Sequence, residues 1–201
     1  MSEEEKQKVI ETINKRKPEL RAWLDRPIWK DYDQKDGYHA WYVDEENGCR
    51  SIKSQILIKK PMKEVFDYVQ KIENKKEYDH NLSHAKEIIK FDDTYDLQYF
   101  NYKGALLIEN RDFYVAMYHK YGEDFSEFFG TSYEDPKYGP VNKVTRANCI
   151  YAGWEFRKQD DGVLCTYYTL ADMKLMQTLV NTTLGEVAKQ VVYLKEILEK
   201  N

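Results

Sequence analysis

The chain has 201 residues, 42% of them hydrophobic and 33% charged, a length that suits one domain or at most two small ones. The 35 acidic residues outnumber the 31 lysines and arginines, which gives a net charge of −4 and argues against a nucleic-acid partner, because nucleic-acid binders carry a basic excess. The 17 tyrosines, 8 phenylalanines and 4 tryptophans argue against disorder.

The first segment of the chain predicts an N-terminal helix docked on the body of the protein. Residues 3–17 are rich in charge, and the apolar positions keep a helical spacing that continues beyond Pro18. These positions are Val9, Ile10, Ile13, Leu20, Trp23 and Leu24. We expect the helix to be followed by an irregular stretch through Pro27.

The central part of the chain predicts antiparallel strands. Residues 38–44 and 49–58 flank Asn47-Gly48, and Asn-Gly is a strong hairpin signal. Pro61 opens a short helix, because proline suits the first helical position. Further strand-like runs cover residues 95–102, 113–121, 125–133, 144–157 and 163–170.

The last segment predicts one long helix. A single apolar stripe runs along it: Met176, Val180, Leu184, Val187, Val191, Leu194 and Leu198. A continuous helix over residues 175–200 would be about 39 Å long at 1.5 Å per residue. The order helix, hairpin, short helix, meander and long helix indicates an α+β fold, with an antiparallel sheet wrapped around the C-terminal helix.

The sequence favours binding over catalysis. It contains none of the glycine-rich, nucleophile-elbow or zinc-protease motifs that mark common enzyme classes. His80 and His84 lie in a polar stretch without a third ligand, which is typical of a solvated pair. His119 lies alone in a predicted strand, and a single histidine in a strand is more often a hydrogen-bonding partner than a catalytic residue. We therefore expect no catalytic residue, no metal and no cofactor.

The compartment is predicted from what the chain lacks. No apolar run approaches the roughly 18 residues of a membrane span, and no targeting segment is visible. Cys49, Cys149 and Cys165 are far apart and form no Cys-x-x-Cys pair, so reduced and mostly buried thiols are expected. Both features favour a cytoplasmic protein.

An apolar loop, residues 104–108, precedes the polar residues 109–112. One interpretation of Leu106, Leu107 and Ile108 is a strand continuation or a core-facing loop. The other is a lid over a cavity or against a membrane. At the end of this loop we expect Arg111 and Asp112 to fix its base by hydrogen bonds rather than to contact a bound ligand.

Six motifs, taken in order, resemble those of START domains, the lipid-transfer domains related to steroidogenic acute regulatory protein. Their residues are 61–69 (PMKEVFDYV), 77–81 (EYDHN), 110–113 (NRDF), 144–147 with 153–154 (VTRA and GW), 166–174 (TYYTLADMK) and 179–181 (LVN). Tyr78 replaces the usual tryptophan of the second motif. The resemblance covers about residues 35 to 200.

The resemblance implies a helix-grip fold, a curved antiparallel sheet around a long C-terminal helix with an internal lipid tunnel. Residues 1–34 would be the N-terminal helix and irregular lead-in, and residues 35–201 the START-like lipid-binding domain. It implies a protein that binds a single lipid, touches membranes transiently and transfers the lipid without catalysis. We expect a monomer, because a carrier must expose the mouth of its tunnel. The alternatives are a helix-grip enzyme of the cyclase/aromatase type, with His119 and Tyr168 as acid–base candidates, and a lipid-sensing interaction module.

Period-2 alternation on the strands and the resemblance together select the residues expected to contact the lipid. Two strands would contribute Gln98, Phe113, Val115, Met117 and His119, and later strands Thr131, Tyr133 and Tyr168. The last helix would contribute Leu179, Asn181, Thr183 and Val187, with Asn181 a headgroup donor. Sterol-binding members carry a buried ion pair at the positions of Gln98 and Met117, so we expect that pair to be absent and a phospholipid or other acyl lipid to be favoured over sterol.

Overall fold

A computed structural model of the chain describes residues 3–104, 108–175 and 177–200, and the side chains of residues 177–182 lie outside that description. Five α-helices are described: α1 (Glu3–Asp25), α2 (Met62–Gln70), α3 (Lys75–Tyr78), α4 (Gln177–Ala188) and α5 (Gln190–Glu199). The first five strands are β1 (Lys30–Lys35), β2 (Tyr38–Asp44), β3 (Arg50–Ile58), β4 (Leu82–Lys90) and β5 (Tyr95–Tyr102). The others are β6 (Asn110–Lys120), β7 (Phe125–Ser132), β8 (Val144–Arg146), β9 (Asn148–Gln159) and β10 (Gly162–Asp172). Two short 3-10 turns, Ile72–Asn74 and Pro136–Tyr138, complete the order.

The strands form one sheet in the order β1-β2-β3-β10-β9-β7-β6-β5-β4. All neighbours along this path are antiparallel, and the short strand β8 pairs in parallel with β6 beside it. The predicted hairpin is confirmed: β2 pairs with β3, and Gly48 between them has a φ of +78°, which glycine adopts without strain. The sheet curves around the C-terminal helices, so the α+β helix-grip fold is confirmed.

The two C-terminal helices pack on the inner face of the sheet. Their buried residues share one core with α2 and with aromatic side chains of the inner face, including Phe128, Trp154 and Phe156. The prediction of one uninterrupted helix is wrong at Lys189, whose ψ of −2° tightens one turn. Hydrogen bonds from Lys189 N to Gly185 O (3.1 Å) and from Tyr193 N to Lys189 O (3.0 Å) still run through this point. Four residues of the apolar stripe, Leu184, Val191, Leu194 and Leu198, are buried on the two sides of the break.

Helix α1 packs on the opposite, outer face of the sheet. It runs without interruption through Pro18, and Val9, Ile13, Leu20, Trp23 and Leu24 are buried along it. These side chains form a second core with outer-face residues of the sheet: Ala116, Phe129, Tyr151 and Tyr168. The sheet is thus covered on both faces.

Two strands differ from the expectations drawn from the sequence. Strand β1 extends the sheet to residue 30, inside the segment that was expected to be an irregular lead-in. Its six residues are all exposed, so they carry no apolar alternation. Strand β4, at the other edge, carries only one fully buried residue, Leu82. Within the described part of the chain, no helix is long and apolar enough to cross a bilayer.

Candidate functional site

A cavity of about 440 Å³ lies between the inner face of the sheet and the C-terminal helices. This volume falls within the range of about 300–1,000 Å³ that small-molecule sites usually occupy. The apolar part of its lining comes from several elements: Val69, Ile72, Phe100, Phe113, Val115, Met117, Phe128, Trp154, Met173, Leu175, Leu184 and Val187. The lining is therefore apolar on both its sheet and its helix side.

Strands β5 and β6 supply one wall of the cavity. Successive side chains of a strand point to opposite faces, so one parity on each strand faces the cavity. On β5 these are Gln98, Phe100 and Tyr102. On β6 they are Arg111, Phe113, Val115, Met117 and His119. All five residues selected on these two strands from the sequence thus line the cavity.

The prediction that residues of the later strands face the cavity is wrong for the three positions selected. Thr131, Tyr133 and Tyr168 do not line the cavity, because they have the parity of the outer face. Tyr133 and Tyr168 belong to the core beneath α1, and Thr131 Oγ1 donates to Cys149 O at 3.3 Å. Strand β10 instead presents Tyr167 and Thr169 to the cavity. Strand β7 is buried on both faces, so its apolar pattern does not indicate which face is which.

His119 and Tyr168, the acid–base candidates if the protein were an enzyme, lie on opposite faces of the sheet. His119 lines the cavity, whereas Tyr168 lies on the outer face and its hydroxyl donates to Phe128 O at 3.1 Å. The two side chains therefore do not converge on one ligand. Among the described residues, no group of three His, Cys, Asp or Glu side chains could hold a metal ion.

The C-terminal helices supply the opposite wall. Thr183 and Val187 line the cavity, as selected from the sequence, and so do Leu184 and Gln190, which were not selected. The side chains of Leu179 and Asn181 lie outside the described residues. At the loop, Ile108 lines the cavity, and Leu106 and Leu107 lie outside the described residues.

A buried polar cluster lies at one end of the β5–β6 wall. His119 Nε2 is 3.0 Å from Asp96 Oδ2, and Gln98 Nε2 donates to the same oxygen at 3.0 Å. All three residues are less than 10% exposed. Gln98 and Met117, the two positions at which an ion pair was expected to be absent, are uncharged side chains. A carboxylate–histidine pair lies beside them: Asp96 is two residues before Gln98 on β5, and His119 is two residues after Met117 on β6.

A second polar cluster lies toward the loop. Tyr102 Oη donates to Asp79 Oδ2 at 3.1 Å, and Lys75 Nζ is 3.9 Å from the same oxygen. Lys75 also lies over the ring of Phe100, 5.3 Å from its centroid. Burial lowers the pKa of Lys75, an effect that Asp79 opposes, and burial raises the pKa of Asp79 against the influence of Lys75 and Tyr102. The pair is therefore held together in a poorly solvated environment.

Arg111 links the residue just before β6 to the segment just after β10, at the end of the cavity near residues 104–108. Its guanidinium donates to Met173 O at 3.1 Å, to Lys174 O at 3.5 Å and to Glu109 O. Arg111 is 7% exposed, and no described carboxylate lies within 4 Å of it. Arg111 thus makes hydrogen bonds at the end of the loop, and its side chain also lines the cavity, contrary to the expectation that it would not face a ligand.

Asp112 lies on the other face of β6 and has a structural environment. Its carboxylate is fully buried and accepts two hydrogen bonds from Arg146, from Nε at 2.7 Å and from Nη2 at 3.1 Å. The same two residues are partners in the parallel pairing of β6 with β8. Asp112 thus links β6 to β8 from outside the cavity, and its role at the base of the loop stays a prediction.

Comparisons with known proteins agree with this architecture. The family model of the START domain matches residues 11–194. Human StAR-related lipid transfer protein 5 superposes with a TM-score of 0.83 at 17% identity, covering 97% of this chain and 98% of that one. Human STARD10 gives 0.73 at 20% identity, covering 92% and 81%. A STAR-related lipid transfer protein from Xanthomonas axonopodis gives 0.70 at 18% identity, covering 86% and 99%. A comparison with curated protein sequences gives no significant match.

Proposed function

Because the chain belongs to the START domain family, we propose that it binds one lipid molecule in the internal cavity and transfers it between membranes without catalysing a reaction. The observation that carries the proposal is the cavity of about 440 Å³, with apolar side chains of the sheet on one side and of the C-terminal helices on the other. The proposal extends to a monomer that works in the cytoplasm.

The energetics of acyl chains explain why such a carrier must enclose its cargo. Moving a chain of about fifteen methylenes into water costs on the order of 12 kcal/mol, at about 0.8 kcal/mol for each methylene. An open groove would leave part of this cost in place. A cavity roofed by helices removes the chain from water, and it needs one segment that opens to admit the lipid.

The residues proposed to contact the lipid come from both walls. From the sheet they are Gln98, Phe113, Val115, Met117 and His119, and from the helices Thr183 and Val187, together with Leu179 and Asn181. The proposed entrance is the loop, where Ile108 lines the cavity and Leu106 with Leu107 would touch the bilayer. Burying one such side chain in a bilayer contributes about 1.5–3 kcal/mol, enough for two of them to drive transient docking.

The proposed cargo is a phospholipid or another acyl lipid in preference to a sterol. Gln98 and Met117 carry no charge, in contrast to the positions where sterol-binding members place an ion pair. Competition between a fluorescent sterol and fluorescent phosphatidylcholine tests this preference, and tight preferential uptake of the sterol would contradict it.

Transfer of fluorescent phosphatidylcholine between vesicles tests the proposal itself. Ala152 lines the cavity and is only partly buried, so Ala152→Phe places a ring in the lipid space. Ile150 lies on the other face of the same strand, and Ile150→Phe is the matched control. We expect transfer to be lost in the first variant and retained in the second. Lipid binding without transfer would favour the sensing module, and transfer at the wild-type rate by folded Ala152→Phe would contradict the use of this cavity.

A further inference from the structure

Basic side chains line the cavity, and no carboxylate does so among the described residues. The basic side chains are Arg50, Lys75, Lys103 and Arg111, and His119, which also lines the cavity, pairs with Asp96 outside the lining. No aspartate or glutamate occurs among the described lining residues. Acidic residues outnumber basic ones in the chain as a whole, 35 to 31, so the lining departs from the composition of the protein.

Three of these cations gather at one end of the cavity. Tyr102 is the centre of the group: it pairs with Arg111 across β5 and β6, Lys103 follows it in sequence, and its hydroxyl bonds to the carboxylate beside Lys75. This end adjoins the loop through which the lipid is proposed to enter. Toward the other end, the next rung of the two strands is the apolar pair Phe100 and Phe113.

None of the three cations is fully compensated by a carboxylate, and Lys103, which is exposed, donates to His80 O at 3.0 Å. The guanidinium of Arg111 has only carbonyl oxygens as partners, and no described carboxylate lies within 4 Å of it. The carboxylate nearest to Lys75, that of Asp79, is 3.9 Å away and also accepts from Tyr102. Buried cations are costly unless an anion or several acceptors stabilise them. A ligand anion at this end would supply the missing charge.

We infer that the lipid carries a net negative headgroup, a carboxylate or a phosphate, which binds at the end of the cavity marked by Lys75 and Arg111. This inference rests on the proposed function and narrows the class of lipid. The acyl chain would then extend past Phe100 and Phe113 into the apolar part of the cavity.

Four single-chain lipids with the same oleoyl chain test the inference: oleate, lysophosphatidic acid, lysophosphatidylcholine and monooleoylglycerol. Isothermal titration calorimetry below their micelle concentrations measures each affinity. We expect the two anionic lipids, or one of them, to bind at least about tenfold more tightly than the zwitterionic and neutral ones, since charge-assisted hydrogen bonds are the strong ones. Oleate alone would identify a carboxylate, and lysophosphatidic acid alone a phosphate.

Substitution of the cation provides the second arm. Lys75→Gln should reduce the preference for the anionic lipid about tenfold, while Lys76→Gln, its exposed neighbour outside the cavity lining, should leave it unchanged. Arg111→Lys keeps the charge and should retain most of the preference. Circular dichroism verifies that each variant is folded.

The outcomes separate this inference from the proposed function. Equal affinity for all four lipids, or loss of preference in both lysine variants, would overturn the inference and leave lipid transfer intact. Failure to bind any of the four by a protein that still transfers phosphatidylcholine would also overturn it. Inorganic phosphate that competes as well as lysophosphatidic acid would indicate a site for a free anion instead. A protein that neither binds nor transfers any lipid would contradict the proposed function.

Discussion

Removing the Asp112 carboxylate should destabilise the fold without changing the cavity. Asp112 is fully buried on the outer face of β6 and receives two hydrogen bonds from Arg146, whose side chain is 32% exposed. In Asp112→Ala the guanidinium keeps only the carbonyl oxygens of Tyr138 and Gly139 as acceptors. The parallel pairing of β6 with β8 also loses its side-chain link.

The expected cost follows from the burial of the pair. Breaking a buried ion pair by removing one partner typically costs about 3–5 kcal/mol. Because Arg146 is partly solvated, we expect a value near the lower limit, about 3 kcal/mol. For a chain of this length each kcal/mol shifts the melting temperature by about 2–4 °C, so Asp112→Ala should melt about 6–12 °C lower than the wild type.

Urea unfolding and thermal melting measure this effect. Asp93→Ala is the matched control, since Asp93 is 97% exposed and its ion pair with Lys90 lies in solvent, where such pairs contribute at most about 1 kcal/mol. A double-mutant cycle with Arg146→Gln isolates the coupling between the two residues. Unchanged stability with lost lipid binding would refute the reasoning and would place Asp112 in the binding site.

Three further predictions test other parts of the structure. Gly153→Ala should destabilise the protein by about 1–3 kcal/mol in urea unfolding, because the added methyl group would meet a backbone oxygen of the adjacent strand; wild-type stability would show that the strands separate easily. The pKa of Glu5 is lowered in the folded protein, chiefly by the hydrogen bond that Tyr138 donates to it. The carboxylate of Glu5 therefore stabilises the fold fully above its unfolded-state pKa of about 4.3, and this stabilisation is lost as the pH falls through the lower folded-state pKa. The difference in unfolding free energy between wild type and Glu5→Gln should therefore shrink below about pH 4, and a constant difference would exclude this linkage. The double variant Leu106→Asp with Leu107→Asp should slow vesicle transfer while the fold remains intact, and transfer at the wild-type rate would mean that the loop is not the entrance.

The sequence predicted those parts of the fold and site where one face of an element is distinct. On β6, the motif at residues 110–113 indicates which face Phe113 occupies, and every second residue after it shares that face. Phe113, Val115, Met117 and His119 all line the cavity. The C-terminal stripe was readable because Leu184, Val191, Leu194 and Leu198 keep one helical face buried. In both cases the period of the side chains determines which face meets the cavity.

Other features depend on contacts that sequence patterns do not encode. Strand β7 is buried on both faces, so its parity could not be inferred, and the wrong choice placed Thr131 and Tyr133 in the cavity. Lys75 and Lys76 are adjacent lysines in a polar segment, and only the packing of α3 places the first in the cavity lining. Strand β1 is a polar edge strand, and only its pairing with β2 identifies it as a strand.

Native mass spectrometry of the protein purified from cells, followed by identification of any released small molecule, tests lipid carriage most directly. The account predicts a one-to-one complex that releases a single lipid on denaturation, and lower occupancy in Ala152→Phe than in Ile150→Phe. An empty protein that takes up no lipid after incubation with vesicles would contradict it, above all if that protein converted a small aromatic substrate.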